Sequence, residues 1–440
     1  MTTTSSSSSS SMAAAAGSTA ARSAWPAVSL AVFASAWGGN EFTPLLVMYR
    51  QNGGLSAVVV DSLLFMYVLG IIPALLIGGP LSDRVGRRPL MLPAPLLAAV
   101  ASVLLAVGAD SVVLLSIGRV LSGIALGLSM AVGGSWITEL SIRAGDRPAA
   151  GARRAAMSLT AGFGIGAGVA GVLAQWAPWP HVLAYLVNIV IAAIAMVLIL
   201  RVPETRARQA DPGPLRDDLK IPSAFHRRFL LVVLPVAPWV FGACASAYAI
   251  IPALMSARTS GAPIAFAALC CVLGLTAGLG IQSVGRRIDD PSGVRGVVIA
   301  LVTLAIGMGL AAVAAHLLTI WMSLIAATVL GCGYGMAMIS GLLEVQRIAG
   351  AGSVASGPNG PGAGSVAKKP AGSSDLAGLT AVFYSVTYLG FAAPAILAFI
   401  SESFGGVTYT DMFVFGVCAA VVCLGIVLLG HRRHPNRDHD

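Results

Sequence analysis

Charge is what this chain has least of. Only 10% of its 440 residues are charged, against 57% hydrophobic, and the mean hydropathy is +0.85. A soluble domain carries about 25% charged residues. No water-soluble core of this length could hide so much apolar surface, so the shortage excludes a soluble fold and makes lipid the solvent. Ten-residue segments of alternating apolar and polar residues are also missing, which excludes a transmembrane β-barrel. Cysteine is scarce. Cys244, Cys270, Cys271, Cys332, Cys418 and Cys423 all fall inside apolar runs, with neither a disulfide framework nor a zinc spacing, and read as buried small hydrophobes. There is no Walker loop for ATP and no soluble catalytic constellation, so an enzyme is not expected. No cofactor or metal site is indicated either; His431, His434 and His439 read as a solvated tail. The opening MTTTSSSSSSSMAAAAGSTAARSA lacks a basic start followed by an apolar core, which excludes a secretory signal. Its Ser/Thr/Ala bias reads as a disordered tail over 1–23, with Met12 an alternative start.

What is abundant comes in runs of about 20 apolar residues, the length a helix needs to cross roughly 30 Å of hydrocarbon. The runs predict helices over 25–49, 57–80, 90–109, 111–137, 155–177, 182–201, 229–254, 262–284, 295–316, 318–345, 376–400 and 411–430. The expected fold is an all-α membrane protein of twelve transmembrane helices. With the N-terminus in the cytoplasm, 24 of the 27 lysines and arginines fall in inner segments; Arg50 and Arg258 lie outside and Arg119 within a helix. That is the positive-inside pattern, and it predicts the cytoplasmic (inner) membrane with both termini inside. It also disposes of nucleic acid as a partner, since the net +9 faces anionic lipid headgroups. Residues 202–228, charged and rich in proline, form a central linker between a bundle over 24–201 and a second over 229–430. The Gly/Ser/Pro-rich stretch 350–375 reads as a flexible inner loop and 431–440 as a cytoplasmic tail. A monomer is expected.

The few charges are concentrated. Gly79-Pro80-Leu81-Ser82-Asp83-Arg84-Val85-Gly86-Arg87-Arg88 follows the second span, and Gly278, Gly285, Arg286 and Arg287 repeat its spacing after the eighth. The two halves are therefore pseudo-symmetric six-helix bundles, as in transporters with a midplane site between parallel repeats. The first copy resembles the signature loop between helices 2 and 3 of the major facilitator superfamily, and the resemblance spans about residues 24 to 430. It implies secondary transport of a small molecule by alternating access. In the second copy Gln282 stands for the acid and Ser283 for the first arginine. Glycine lets helix 2 end and the backbone turn. The resemblance implies an inner latch in which Asp83 docks on the start of helix 11 near residue 376, while Arg84, Arg87 and Arg88 bind carboxylates such as Glu139. A plain topology anchor is the alternative, though it has no need of Asp83.

Arg119-Val120-Leu121-Ser122-Gly123 resembles the family's helix-4 arginine motif, and residues 162–171 resemble its antiporter motif on helix 5. Ala167 stands where that motif has proline and Ala170 replaces a glycine, which weakens the antiporter assignment. The same stretch satisfies G-x-G-x-x-G, but no strand precedes it, so dinucleotide binding is not indicated.

Ionisable residues inside a membrane are functional hypotheses. Glu41 and Arg119 lie at matching depth, roughly 12 Å in, on helices 1 and 4. They are expected to form an ion pair that breaks when the bundles rock, so that Glu41 carries protons. A fixed structural bridge and a simply hydrated Glu41 are the alternatives. Asn40 either contacts substrate or pairs with a neighbouring helix; Asp61 is read as structural, in the first turn of helix 2. Glu344 is read as the second-half counterpart of Glu139. Phe33, Trp37, Trp239, Tyr248, Tyr334, Tyr384 and Tyr388 either line a cavity for an apolar or aromatic molecule or merely pack. The substrate contacts proposed from sequence are Trp37, Asn40, Glu41, Tyr334, Tyr384 and Tyr388. The leading expectation is proton-coupled export of a small lipophilic compound; uptake of a metabolite is the runner-up, and a non-transporting membrane sensor a remote third.

Overall fold

The computed structural model describes residues 24–52, 55–210, 213–259, 261–290, 293–355 and 371–432. The expected N-terminal tail, most of the 350–375 loop and most of the C-terminal tail lie outside these residues. Among the described residues there is no strand, and twelve long helices carry the fold. We number them α1 (Trp25–Asn40, then Phe42–Asn52), α2 (Ala57–Val85), α3 (Arg87–Val107), α4 (Val112–Arg143), α5 (Pro148–Trp176), α6 (Pro180–Ile199), α7 (Phe229–Met255), α8 (Pro263–Ile288), α9 (Arg295–Leu317), α10 (Ile320–Ala355), α11 (Asp375–Ser403) and α12 (Tyr409–Arg432). Eleven are each long and apolar enough to cross a membrane. The first falls short only because it is split at Glu41 into pieces of 16 and 11 residues.

Several helices outrun the apolar runs that mark them: α2 continues through Pro80 to Val85, α5 starts at Pro148, and α10 reaches Ala355. At 1.5 Å per residue, the 29 residues of α2 exceed the roughly 30 Å of hydrocarbon, so the surplus turns carry polar residues into the headgroup layer.

Helices α1–α6 form one bundle and α7–α12 the other, and each internal packing has its counterpart. α2 lies on α4 as α8 lies on α10; α3 on α6 as α9 on α12; α1 on α5 as α7 on α11. The closest of these contacts rest on glycine. A Cβ at Gly70 would overlap the Val120 carbonyl of α4, and a Cβ at Gly331 of α10 would overlap the Gly274 carbonyl of α8. Small residues give membrane helices the close approach that lipid, itself apolar, does not drive. Gly331, Gly333 and Gly335 thus serve close packing, as their spacing around Tyr334 suggests.

Two main seams join the bundles, α5 with α8 and α2 with α11, and the second half of α1 also packs on α8 and α7. On the face opposite the 202–228 linker, the α5–α8 seam is shut. Gly171 backs onto Ala268, Gln175 donates to the Gly261 carbonyl at 3.0 Å, and its Oε1 accepts from the Ile264 N–H at 2.9 Å. Toward the linker face the same helices part, leaving an apolar crevice of about 650 Å³ with Arg153 at its mouth. At the α2–α11 seam, Glu402 accepts the Val58 N–H at 3.3 Å on the far face. Near the linker, Ser223 donates to Asp375. Cys244, Cys270 and Cys271 are buried as expected, whereas Cys418 is exposed on the lipid-facing surface of α12.

Candidate functional site

Four helices lose regular winding around one internal void. Pro44 has no N–H to return to the Asn40 carbonyl, and α1 breaks beside it at Glu41. In α7 a π-helical turn over Ser246–Ile250 precedes Pro252, and in α11 a 3-10 turn over Leu389–Ala392 precedes Pro394. α4 carries its own π turn, Ser129–Gly133. Irregular backbone survives at membrane depth only where protein or a cavity surrounds it.

The void measures about 20 Å³, room for a single water. Aromatic rings wall it. Phe241 of α7 stacks on Tyr388 and Phe391 of α11 at centroid distances of 4.3 and 4.8 Å, and Tyr67 of α2 meets Tyr388 edge-on at 6.0 Å. Of the residues proposed from sequence, Asn40, Tyr334 and Tyr388 line the void, as does Tyr248. Trp37, Glu41 and Tyr384 do not. Phe33 packs on Trp37 at 5.7 Å. Tyr67, Phe241 and Phe391 escaped the sequence reading. Pro238 before Phe241, and Gly390 with Pro394 around Phe391, are the sequence signal that could have found them.

The expected ion pair is not made. Glu41 and Arg119 are both fully buried, yet no contact within 4.0 Å joins them. The reason lies in the direction each residue takes: Glu41 keeps helical backbone, its N–H on the Trp37 carbonyl at 2.9 Å, and so points about 100° around α1 from Asn40. Asn40 turns to α5 and α8, donating to the Phe163 carbonyl at 3.0 Å and approaching Cys271 Sγ at 3.5 Å. Glu41, one residue on, turns into its own bundle. There its Oε1 accepts from Ser102 of α3 at 2.8 Å, and Ser102 accepts from Asn188 of α6 at 2.9 Å. Among the described residues, Glu41 Oε2, Asn188 Oδ1 and Trp37 Nε1 have no hydrogen-bond partner. Trp37 and Asn188 approach the carboxyl without closing a bond to it. Arg119 faces the void instead. It donates Nε to the Leu63 carbonyl at 3.2 Å and Nη1 to the Gly39 carbonyl at 3.3 Å, with Tyr67 and Phe42 rings at 4.6 and 4.7 Å.

At the linker face the charged loop is tied together. Arg87 is buried and donates to Glu139 from Nε at 3.2 Å and Nη2 at 3.0 Å, and to Ser82 at 2.7 Å; Asp83 pairs with it at 3.0 Å. Arg84 holds the linker, donating to Asp218 at 2.7 Å and to the Gly213 and Pro214 carbonyls at 2.7 and 2.9 Å. Arg88 donates to the Leu200 carbonyl at the end of α6 at 2.6 Å. α2 packs on α11, near whose residue 376 Asp83 is expected to dock; Asp83 instead forms ion pairs with Arg87 and, at 3.9 Å, with Arg206. In the second half Glu344, read from sequence as the counterpart of Glu139, is buried at the linker face. Its partners are Arg228 and Arg347, not Arg286 or Arg287. Asp61 pairs with Arg50 on the far face.

A residue the sequence did not single out organises this loop. Glu204 of the linker accepts from the backbone N–H groups of Arg87 and Arg88 at 2.9 Å each, and from those of Thr205 and Arg206. Partial burial pushes its carboxyl up, but these four donors outweigh burial and hold it below the ordinary glutamate range. A depressed folded-state value adds stability that is complete above the ordinary value near 4.3 and is lost as pH falls through the depressed one. Thermal unfolding of the protein and its Glu204→Gln variant is therefore expected to differ by a constant amount above about pH 6 and to converge in acid. A gap that widens in acid would contradict the assignment.

Comparison with known proteins places this geometry. No curated protein sequence matches the chain. A solved mutant of the nucleoside transporter NupG superposes with a TM-score of 0.66 at 12% identity, covering 92% of this chain and 99% of its own. A solved D-xylose-proton symporter gives 0.62 at 16%, covering 92% and 96%. These likenesses establish the shared fold. The sequence model of the Major Facilitator Superfamily matches residues 28–357, most of both bundles and the linker between them. This chain, a non-enzymatic multi-pass transporter with two bundles around an aromatic void, belongs to the major facilitator superfamily.

Proposed function

We propose that the chain exports a small lipophilic molecule in exchange for protons, by alternating access at the aromatic void, as a monomer in the cytoplasmic membrane with both ends inside. The observation that carries this is the pairing of functions at the break in α1. On one side lies a buried carboxyl with an unpartnered oxygen, Glu41; on the other is a void rimmed by rings and Arg119. The two groups communicate through the α1 backbone, since Arg119 holds the Gly39 carbonyl and Ser122 donates to Gly38 at 2.8 Å. Glu41 carries the proton, and the charge of Arg119 tunes it without a direct bond. Rocking that shifts α1 against α4 changes the distance between them and so the proton's affinity. Asp83, Arg84, Arg87, Arg88, Glu139, Gly79 and Gly86 form the latch on the cytoplasmic side.

Proton-coupled uptake is the second reading, favoured by Ala167 at the antiporter proline and by the symporter among the structural matches. Flux into proteoliposomes under pH gradients of both signs, over a panel of lipophilic and sugar-like compounds, separates the two. Export predicts accumulation in inverted vesicles acidified inside; uptake predicts accumulation down an inward proton gradient. Flux indifferent to the gradient would remove Glu41 as the coupling group.

A further inference from the structure

Arg119 is fully buried, yet its nearest counter-charge is not a carboxylate at ion-pair distance. Its Nε and Nη1 donate to two backbone carbonyls, and the side chain lines the void. Among the described residues no carboxylate lines that void. Of its other polar side chains, Asn40 donates to the Phe163 carbonyl and its Oδ1 accepts from Thr43 at 2.9 Å, and Tyr388 donates to Met130 Sδ at 3.4 Å. A buried charge is costly unless it is paired. The faces of Tyr67 and Phe42 compensate part of that cost, but they bring no negative charge. The opposite wall is a stack of flat rings, Phe241 on Tyr388 and Phe391.

We infer that the void selects a planar aromatic organic acid, its carboxylate on Arg119 and its ring system against Phe241, Tyr388 and Phe391. The inference rests on the proposed reading that the void is the transport site. The closed void holds one water, so the ligand enters when the bundles swing apart, and the rings then close on it. A charge-assisted hydrogen bond in a site of low dielectric favours the anion over its neutral amide. An organic cation meets the fixed guanidinium with no acid to offset the repulsion.

Equilibrium binding of 2-naphthoate, 2-naphthamide and 2-naphthylmethylammonium to the protein in lipid nanodiscs tests this. Naphthoate is expected to bind at least about tenfold tighter than naphthamide, with the ammonium weakest. Arg119→Gln should bring naphthoate down to the level of naphthamide, and Arg119→Lys should keep the order. The wild-type order needs no variant and decides the matter even if Arg119→Gln does not fold. Ammonium binding as tight as naphthoate, an unchanged preference in Arg119→Gln, or no binding by any of the three overturns the inference. A naphthoate preference without flux of any probe in proteoliposomes would instead sink the transport reading and leave the anion site standing.

Discussion

Glu41→Gln is expected to reduce proton-coupled flux to background while leaving the protein at least as stable as its parent. The glutamine carbonyl can still accept from Ser102, which now bonds Glu41 Oε1 at 2.8 Å. Its amide nitrogen takes the place of Glu41 Oε2, which has no hydrogen-bond partner among the described residues, so no bond is lost there. A neutral amide also avoids the cost of a buried carboxylate charge, so the unfolding temperature should hold. What the amide cannot do is gain and lose a proton. Exchange of labelled for unlabelled substrate at equal pH should therefore persist, because it needs no net proton movement. Glu41→Asp keeps a titratable group but withdraws it from Ser102, and should transport slowly. Measuring net coupled flux, exchange and thermal unfolding on the three proteins checks each step. Full coupled flux by Glu41→Gln would show that the proton travels elsewhere. A collapse in stability would show that the carboxyl serves the fold.

Glu41 also marks how far the sequence was legible. An acid inside an apolar run is visible at once, and its depth follows from counting residues at 1.5 Å each. Depth is only one coordinate. The direction of a side chain around a helix also depends on how that helix is turned against its neighbours, which counting residues does not give. Matching depth with Arg119 therefore suggests a bond, whereas Glu41 turns to Ser102 of α3 and Arg119 to the Leu63 and Gly39 carbonyls. The twelve spans and the charged loop were plain because lipid penalises charge so strongly that each cluster stands out. Helix ends were less plain, since the turns of α2 and α10 that leave the hydrocarbon resemble any polar loop. Glu204 was invisible for a different reason. It lies in a charged linker where one acid looks like another, and only the folded chain brings it to the N–H groups of Arg87 and Arg88. Rings such as Phe241 and Phe391 were hidden among the many aromatics of an apolar chain. The prolines that bend their helices inward were the usable clue.

The two glycines of the charged loop should respond in opposite ways to the same substitution. Gly86 sits at φ +106° and ψ 164°, a region essentially closed to residues with a Cβ, where strain costs of order 1–3 kcal/mol. A Cβ there would also stand 2.5 Å from Glu204 Oε2 and 2.9 Å from its Cδ, expelling the carboxylate from its four N–H donors. Gly86→Ala is thus expected to lower thermal stability clearly and, through the loosened linker, to cut transport at least about tenfold, the scale on which 1.4 kcal/mol acts. Gly79 lies within α2, and a Cβ added to it meets nothing within 4 Å. Gly79→Ala should be neutral or slightly stabilising, by up to about 1 kcal/mol, because alanine loses less entropy in a helix. A double variant separates the two costs at Gly86. In a Glu204→Ala background the clash is gone, so Gly86→Ala should cost only its backbone strain. Unfolding midpoints for the single and double variants measure this directly. If Gly86→Ala costs the same with and without Glu204, the carboxylate is not what the turn is shaped to hold. If Gly86→Ala costs nothing, the turn itself is not a constraint.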